Sequence, residues 1–205
     1  MGAARGDAAA GALPRRPPGG SDARTALNDA ELAQLRALIR EIPDFPSPGI
    51  LFKDITPLLA DRRALTLAVA GLAADAAELE VDFVIGAEAR GFLLGPALAL
   101  ALGAGFVLAR KPGKLPHETV RVDYALEYGE DGLELHADAF GAGARVLVHD
   151  DLLATGGTAV ALCELAEAAG GEVAGCDFLV ELEHLGGRRR LAGRRVHSLL
   201  PYAGS

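Results

Sequence analysis

The sequence predicts an α/β fold built on a mainly parallel, twisted sheet that is flanked by helices. Short, nearly continuous apolar runs, for example 82–86 and 145–149, are typical of strands that are buried on both faces. Stretches with helical spacing of apolar residues, such as 92–103 and 158–169, lie between these runs. This alternation of strand and helix indicates a parallel sheet with helices on both sides.

The first predicted helix follows a flexible tail. Residues 1–27 are mainly Ala, Gly, Pro and Arg, a composition that buries too little apolar area to offset the entropy of ordering. The remaining residues, 28–205, are predicted to form a single domain. Asn28 followed by Glu31 predicts a helix N-cap with its capping-box partner, and this helix is expected to continue through Glu41.

Prolines and a glycine then predict an extended, stiff segment over 43–50. A second helix is predicted over about 63–80, where apolar residues fall on one side. The remaining predicted elements are strands at 82–86, 106–110, 145–149, 173–181 and 196–200 and helices at 92–103 and 158–169. The polar, irregular stretch 111–136, with strand pieces only near 124–128, is typical of a functional lid.

Charge and composition argue against several classes of function. The 20 Lys and Arg and the 28 Asp and Glu give a net charge of −8, which is unfavourable for binding nucleic acid. Cys163 and Cys176 lack the spacing of a zinc site and favour a reducing, cytoplasmic compartment. No secretory leader is expected. Because glycines and a proline interrupt the uncharged stretch 92–109, no membrane span is expected either.

The segment most informative about function is 145–158. Here an apolar strand leads to two adjacent carboxylates, Asp150 and Asp151, at the edge where open α/β sheets bind ligands. The small residues that follow let backbone N–H groups and hydroxyls converge on an anion; they are Ala154, Thr155, Gly156, Gly157 and Thr158. Because the acids repel phosphate and suit hydroxyl groups, the segment predicts a sugar phosphate site. A capped helix beside an incidental acidic turn is the alternative.

Segment 146–158 resembles the phosphoribosyl diphosphate (PRPP) signature of the type I phosphoribosyltransferase family. Four further segments resemble parts of the adenine-using members of that family, in the same order along 28–202. They are a base-covering hood at 45–57, a pyrophosphate loop at 86–92 and the two ends of a mobile lid at 110–116 and 124–129. The resemblance implies a type I phosphoribosyltransferase fold, with a small N-terminal hood over about 28–60 and a mobile lid over about 111–136.

The activity that this resemblance implies is a step of purine salvage. The 5-phosphoribosyl group of PRPP would be transferred to N9 of adenine, giving AMP and pyrophosphate. Mg²⁺ is the expected cofactor, held mainly through PRPP and water and not directly by protein ligands, and a homodimer is the expected assembly. Two alternatives stay open: a phosphoribosyltransferase for another purine base, and a PRPP-sensing regulator without catalysis.

The resemblance also implies roles for the residues around PRPP. Asp150 and Asp151 are expected to hold the ribose hydroxyls and to stabilise positive charge that develops at the anomeric carbon. A strained or cis peptide between Glu88 and Ala89 is implied to turn its N–H toward pyrophosphate. The cations expected near the leaving pyrophosphate are Arg90, Arg110, Lys111 and Lys114. For Lys111, a solvated surface position is the alternative.

Other residues are expected to contact the base. Phe52 resembles the hood aromatic that stacks on adenine, with backbone groups of Leu51 and Lys53 reading the ring edge. Leu153 is expected on the other face of the base. Glu127 matches the lid carboxylate, which can accept or stabilise the proton that adenine loses as N9 becomes a nucleophile. The alternatives are that Phe52 is a core residue and Glu127 a surface acid.

The expected catalytic residues are thus Glu127, Asp150, Asp151 and Arg90. His149 departs from the family pattern, which has a small apolar residue before the acids. We expect this histidine to be exposed or hydrogen-bonded at the end of its strand. If it is charged, it lowers the pKa of the neighbouring carboxyl groups.

Overall fold

Strands and helices alternate along residues 26–126 and 129–204, which are the residues that this computed structural model describes. The helices are α1 (Asp29–Ala37), α2 (Thr56–Ala60), α3 (Arg62–Ala76), α4 (Gly91–Leu102), α5 (Gly157–Ala168) and α6 (Gly187–Arg190). The strands are β1 (Arg40–Ile42), β2 (Phe52–Asp54), β3 (Phe83–Ala87), β4 (Gly105–Ala109), β5 (Thr119–Leu126), β6 (Gly129–His136), β7 (Arg145–Leu153), β8 (Glu172–Leu182) and β9 (Val196–Tyr202). Single 3₁₀ turns span Ala77–Leu79 and Glu183–Leu185.

The central sheet contains five strands in the order β4-β3-β7-β8-β9. Every neighbouring pair is parallel, which confirms the predicted α/β class. On one face, α3 and α4 enclose a core that includes Leu72, Leu94 and Leu147. On the other face, α5 covers a second core with Leu162 and Phe178. Burying each such side chain contributes about 1.5–3 kcal/mol to the stability of the fold, so the two cores fasten the helices to the two faces of the sheet.

The first helix begins as predicted and ends earlier. The Asn28 side chain accepts a hydrogen bond from the Glu31 N–H at 3.0 Å, and the Glu31 carboxylate accepts one from the Asn28 N–H at 2.9 Å. The expected continuation through Glu41 is wrong, because residues 40–42 form β1 and pair antiparallel with β2. A residue that precedes proline disfavours helical backbone angles, and Ile42 precedes Pro43.

The segment 43–50 is a closed turn and not the extended piece that its prolines predict. The Phe45 N–H donates to the Ile50 carbonyl at 3.2 Å, and the Asp44 carboxylate accepts from the Gly49 N–H at 2.7 Å. The chain must reverse here because β1 and β2 are antiparallel. The hood is therefore a small hairpin that projects from the main sheet.

The predicted lid also differs from expectation, since most of it is regular. β5 and β6 pair antiparallel over their whole length, from Thr119 with His136 to Leu126 with Gly129. The alternation of Val120, Val122 and Tyr124 was the signal for a strand with one buried face. Leu133 and Leu135 of the partner strand are buried against the α5 side of the sheet. This hairpin therefore covers the edge of the second core.

Strand β7 is longer than the predicted 145–149 and contains the two acids instead of ending before them. Asp150 lies opposite Phe178, and Leu153 lies opposite Glu181 of β8. Pairing with this long neighbour extends the strand past the acidic residues. The small-residue loop thus leaves the sheet at Ala154.

A polar row crosses the face of the sheet that α3 covers. His149, Asp177 and His197 lie in register on β7, β8 and β9. His149 Nδ1 lies 3.0 Å from the backbone carbonyl of Asp177, and His197 Nδ1 lies 2.8 Å from Asp177 Oδ1. His149 is completely buried, contrary to the exposed alternative, and burial lowers its pKa to about 4. It is therefore neutral near pH 7 and supplies no charge to the adjacent acids.

The hood is fastened to the last strand of the sheet through an aromatic ring. Lys53 Nζ lies 4.1 Å and Arg36 Cζ lies 5.0 Å from the ring centroid of Tyr202, both cation–π distances. Arg36 also donates to the Pro201 carbonyl at 2.8 Å, and the buried Lys53 pairs with Glu41. Residues of α1, β1 and β2 are thereby joined to β9.

None of the helices in the described part of the chain combines the length and apolar character needed to cross a membrane.

Candidate active site

The two acids lie at the carboxyl edge of the sheet, next to the loop that follows β3. Asp151 is 1% exposed, and its Oδ1 atom lies 3.4 Å from Arg90 Nε, an ion-pair distance without a hydrogen bond. Asp150 Oδ1 accepts the backbone N–H of Asp151 at 2.9 Å. Because β3 and β7 are parallel neighbours, the residues that follow β3 and those at the end of β7 meet at one edge.

Burial makes it costly for both carboxylates to be charged. It raises the pKa of Asp150 well above its usual value, and the neighbouring charge of Asp151 raises it further. Burial also raises the pKa of Asp151, although Arg90 opposes this. The pair therefore favours a ligand that brings hydroxyl donors or positive charge to this edge.

Arg90 connects the acids to the hood. Its guanidinium carbon lies 5.7 Å from the ring centroid of Phe52, while its Nε faces Asp151. Phe52 is half-buried and belongs to neither hydrophobic core. Its ring packs edge to face against the ring of Phe45, with the two centroids 5.1 Å apart. Arg90 therefore contacts both Phe52, the predicted base-stacking residue, and Asp151, one of the two predicted ribose-binding acids.

The other predicted base contacts are placed differently. Lys53 points its side chain away from Phe52, as alternation along a strand requires, so only its backbone is left for the base edge. Leu51 is exposed beside it. Leu153 is 1% exposed in the core on the α5 side, so its side chain lies beneath the loop.

The small-residue loop lets the chain near Gly187 pack against it and leaves its N–H groups open to a ligand. Gly156 has φ +85°, and a Cβ there would lie 2.8 Å from the Gly187 carbonyl oxygen. The first turn of α5 begins at Gly157, with neither an acidic residue nor a capping side chain. Its backbone N–H groups are therefore available to an anion, together with the hydroxyls of Thr155 and Thr158.

Gly187 is a part of the site that sequence reasoning missed. A Cβ on this residue would lie 2.3 Å from the Ala154 carbonyl oxygen and 3.0 Å from the Gly156 nitrogen. Gly187 follows the last residue of the loop, Thr158, by 29 positions, and nothing in the local sequence pattern connects the two. The close packing means that α6 supports the loop from behind.

The predicted pyrophosphate loop combines a cis peptide with a local ion pair. The Glu88–Ala89 bond is cis, as the resemblance implied. Arg110 Nε donates to the Glu88 carboxylate at 2.7 Å, and the Lys111 N–H donates to it at 3.2 Å. Burial raises the pKa of Glu88, but the hydrogen bonds from Arg110 and from the Lys111 N–H, together with the nearby positive charges, outweigh burial and lower the pKa overall. Arg110 is thus paired within its own chain, whereas Lys114 remains an exposed cation.

Glu127, the predicted lid acid, lies outside the described residues. The adjoining part of the hairpin does reach the site, since the Tyr124 ring comes within 3.9 Å of the Cβ position of Gly157. The hairpin therefore adjoins the small-residue loop.

Among residues 26–126 and 129–204, no group of three or more His, Cys, Asp or Glu residues is arranged to hold a metal ion. Asp151 Oδ1 is nevertheless a buried carboxylate oxygen without a hydrogen-bond partner. Mg²⁺ is commonly held by one or two carboxylates together with substrate phosphates and water. The donor set at this edge fits that kind of site.

Comparison with known proteins gives a consistent result over most of the chain. The phosphoribosyl transferase domain family matches residues 58–196. The adenine phosphoribosyltransferase of Rubrobacter xylanophilus is 56% identical over 177 residues, covering 86% of this chain and 96% of that protein. The enzyme of the same name from Methylococcus capsulatus is 58% identical over 169 residues, covering 82% of this chain and 99% of that protein.

Solved structures show the same similarity. The crystal structure of adenine phosphoribosyltransferase from Thermoanaerobacter pseudethanolicus has a TM-score of 0.82 at 50% identity, covering 83% of this chain and 99% of that one. The Saccharomyces cerevisiae enzyme, complexed with an imino-altritol bisphosphate and adenine, has a TM-score of 0.80 at 38% identity. The match covers 83% of this chain and 99% of that one.

Proposed function

The chain belongs to the phosphoribosyl transferase domain family and, within it, to the adenine phosphoribosyltransferases; from this membership we propose how its residues divide the work of the reaction. The enzyme transfers the 5-phosphoribosyl group of PRPP to N9 of adenine, in purine salvage, and releases pyrophosphate with AMP. The bond from C1′ to the pyrophosphate oxygen breaks, and the bond from C1′ to N9 forms. The observation that carries our assignment is the contact series Phe52, Arg90 and Asp151.

Asp150 and Asp151 bind the two ribose hydroxyls. Cleavage at C1′ leaves the sugar with cation-like character. Asp151 is buried and Asp150 partly buried, and because burial raises the pKa of both carboxyl groups, their charged forms are stabilised when positive charge forms beside them. The stabilisation is greater in the transition state than in the ground state, so it accelerates the reaction.

Arg90 binds the leaving pyrophosphate, and Lys114 adds positive charge from the lid. When bound together with PRPP, Mg²⁺ would neutralise part of the diphosphate charge, and Asp150 and Asp151 are the carboxylates that would be available to it. Arg110 and Lys111 act with Glu88 and Ala89 to fix the pyrophosphate loop, since both contact the Glu88 carboxylate. The 5′-phosphate binds to the N–H groups from Ala154 to Thr158.

Phe52 stacks on adenine, and the backbone groups of Leu51 and Lys53 recognise the edge of the ring. Leu153 supports this site from below the loop, since its side chain is in the core. Glu127 accepts or stabilises the proton that leaves adenine as N9 attacks.

We expect Glu127→Gln to lower kcat/KM for adenine by about 100-fold, because the amide has the same shape but cannot take the proton. Steady-state kinetics at saturating PRPP measures the change. The matched control is Glu118→Gln, an exposed acid of the same predicted lid, which should leave the rate unchanged. An unaltered kcat/KM in Glu127→Gln would remove that residue from the mechanism.

The activity itself is tested by incubating the purified chain with PRPP, Mg²⁺ and each of adenine, hypoxanthine, guanine and xanthine. Nucleotide formation from adenine alone supports the whole assignment. Turnover of an oxopurine keeps the PRPP site and rejects the role of the hood in selecting adenine. Tight PRPP binding without turnover of any base points to the regulator.

A second copy of the chain is the proposed partner. Helix α4 has no charged residue, and Leu93 and Leu100 lie exposed along it, Leu100 by 82%. Exposed Leu108 belongs to β4, the edge strand of the sheet. This apolar face adjoins the pyrophosphate loop, because Arg90 immediately precedes α4. A homodimer through this face would cover it and support that loop.

We expect Leu100→Glu to weaken this dimer by tenfold or more, because the interface would bury an unpaired carboxylate. Sedimentation should give twice the 21.1 kDa chain mass for the parent protein and one chain mass for the variant at the same concentration. Leu185→Glu, on a distant turn, is the control for adding a charge to an exposed leucine. A parent protein that sediments as a single chain would contradict the proposal.

A further inference from the structure

Helix α6 lies directly behind the small-residue loop and carries three consecutive arginines, Arg188, Arg189 and Arg190. The helix can come this close because Gly187 has no side chain. A Cβ at this position would lie only 2.3 Å from the Ala154 carbonyl oxygen, which is too close for any other residue. The backbone of α6, from which the arginine side chains extend, is therefore held close to the loop.

The three arginines have different surroundings. Arg188 is tied to the buried carboxylate of Glu181 by two hydrogen bonds, at 3.0 and 2.5 Å, and donates to the Val196 carbonyl at 2.7 Å. Arg189 lies over Gly186, at the start of its own helix. Arg190 points elsewhere: its Nη1 atom is 3.5 Å from the Cβ position of Gly157. Within the described part of the chain, no carboxylate pairs with Arg190.

Gly157 is the first residue of α5, where the loop presents its N–H groups. A phosphate monoester bound there brings nearly two negative charges close to the carboxylates of Asp150 and Asp151. The loop itself supplies hydrogen-bond donors but no full positive charge, and the chain as a whole has a net charge of −8. A guanidinium that reaches Gly157 supplies that charge and donates in a geometry suited to phosphate oxygens.

We propose that Arg190 binds the 5′-phosphate of PRPP and of AMP, as a substrate-binding residue in addition to the loop. This inference rests on the proposed function, because that function places a phosphate at the loop. Arg190 distinguishes the 5′-phosphate from the pyrophosphate, which lies on the Arg90 side of the acids.

The reaction can be run in both directions, and this separates the two phosphate sites. PRPP and AMP both carry the 5′-phosphate, whereas adenine and pyrophosphate do not. For Arg190→Gln, we expect the KM of PRPP and the KM of AMP to rise about 10- to 100-fold, with kcat changed little. The KM of adenine and the KM of pyrophosphate should stay within about twofold of the parent values.

Arg189→Gln is the matched control, since it removes the same charge from the neighbouring position and should leave all four constants unchanged. Arg190→Lys keeps the charge without the planar fork and should recover part of the affinity. Thermal unfolding of each variant checks that α6 still supports the loop. If Arg190→Gln unfolds, the Arg190→Lys constants decide, since a selective rise for PRPP and AMP is still expected.

Two outcomes would overturn the inference. One is unchanged constants for PRPP and AMP, and the other is a rise for PRPP and pyrophosphate that spares AMP, which would assign Arg190 to the pyrophosphate. Failure of the proposed function would look different, because the parent protein itself would form no AMP from adenine.

Discussion

Replacing Asp151 with asparagine is expected to lower kcat about 100- to 1000-fold while the protein remains as stable as the parent. The amide has nearly the same shape and still contacts a ribose hydroxyl, but it cannot stabilise the positive charge that forms at C1′. Folding should be little affected, because burial raises the pKa of both carboxyl groups and the substitution removes the repulsion between them. Single-turnover rates of AMP formation, measured with saturating PRPP and adenine, give the change in the chemical step.

The matched control for this experiment is Asp177→Asn. Asp177 is buried to the same degree on the next strand, but it contacts His197 and not the site. Its loss should alter the free energy of unfolding and leave kcat within about twofold. If Asp151→Asn retained parent turnover, or if both variants lost activity equally, the electrostatic role assigned to Asp151 would be rejected.

The second large effect concerns acid stability and comes from His149. Burial lowers its pKa to about 4 from an ordinary value of 6.5. The unfolded chain therefore binds a proton first as the pH falls, and the folded state loses stability between about pH 6.5 and pH 4. Between pH 7 and pH 4 this loss amounts to about 3 kcal/mol. His149→Val removes the titrating ring, so its free energy of unfolding should fall less steeply with acid than that of the parent.

Urea unfolding of both proteins at pH 7, 6, 5 and 4 measures the difference. Burial raises the pKa of Asp177 to about 6, which works in the opposite direction, but Asp177 is present in both proteins and cancels in the comparison. A constant difference between parent and His149→Val across this range would show that His149 titrates as in the unfolded chain.

The sequence predicted the sheet well because buried parallel strands have a simple signature. The runs near 82–86, 106–110 and 173–181 are mainly apolar and are separated by segments with helical spacing. The β5–β6 hairpin was missed although its alternating valines are a strand signal, because the many polar residues of 111–136 favoured an irregular loop. The error at α1 has a similar origin, since pairing of β1 with β2 decided the conformation of residues 40–42.

In the site, the parts that are local in the chain could be predicted and the distant contacts could not. The acids, the small-residue loop and the hood each form a short continuous motif. The support of the loop by Gly187 and the pairing of Arg110 with Glu88 join segments that are more than 20 residues apart. Leu153 stays a predicted base contact, and the burial of its side chain in the core on the α5 side follows from its position in β7, which the local motif does not show.

The contacts that join the hood to β9 cannot form during synthesis until Pro201 and Tyr202 have been made. Arg36 and Pro201, which join the hood to β9, are 165 residues apart. A ribosome that adds about 5–20 residues per second needs roughly 10–30 s to travel between them. During this interval the nascent hood lacks the strand that fastens it, so Arg36 and Lys53 have no Tyr202 ring to contact. The hood is therefore synthesised before the strand that fastens it and is completed only when that strand has formed.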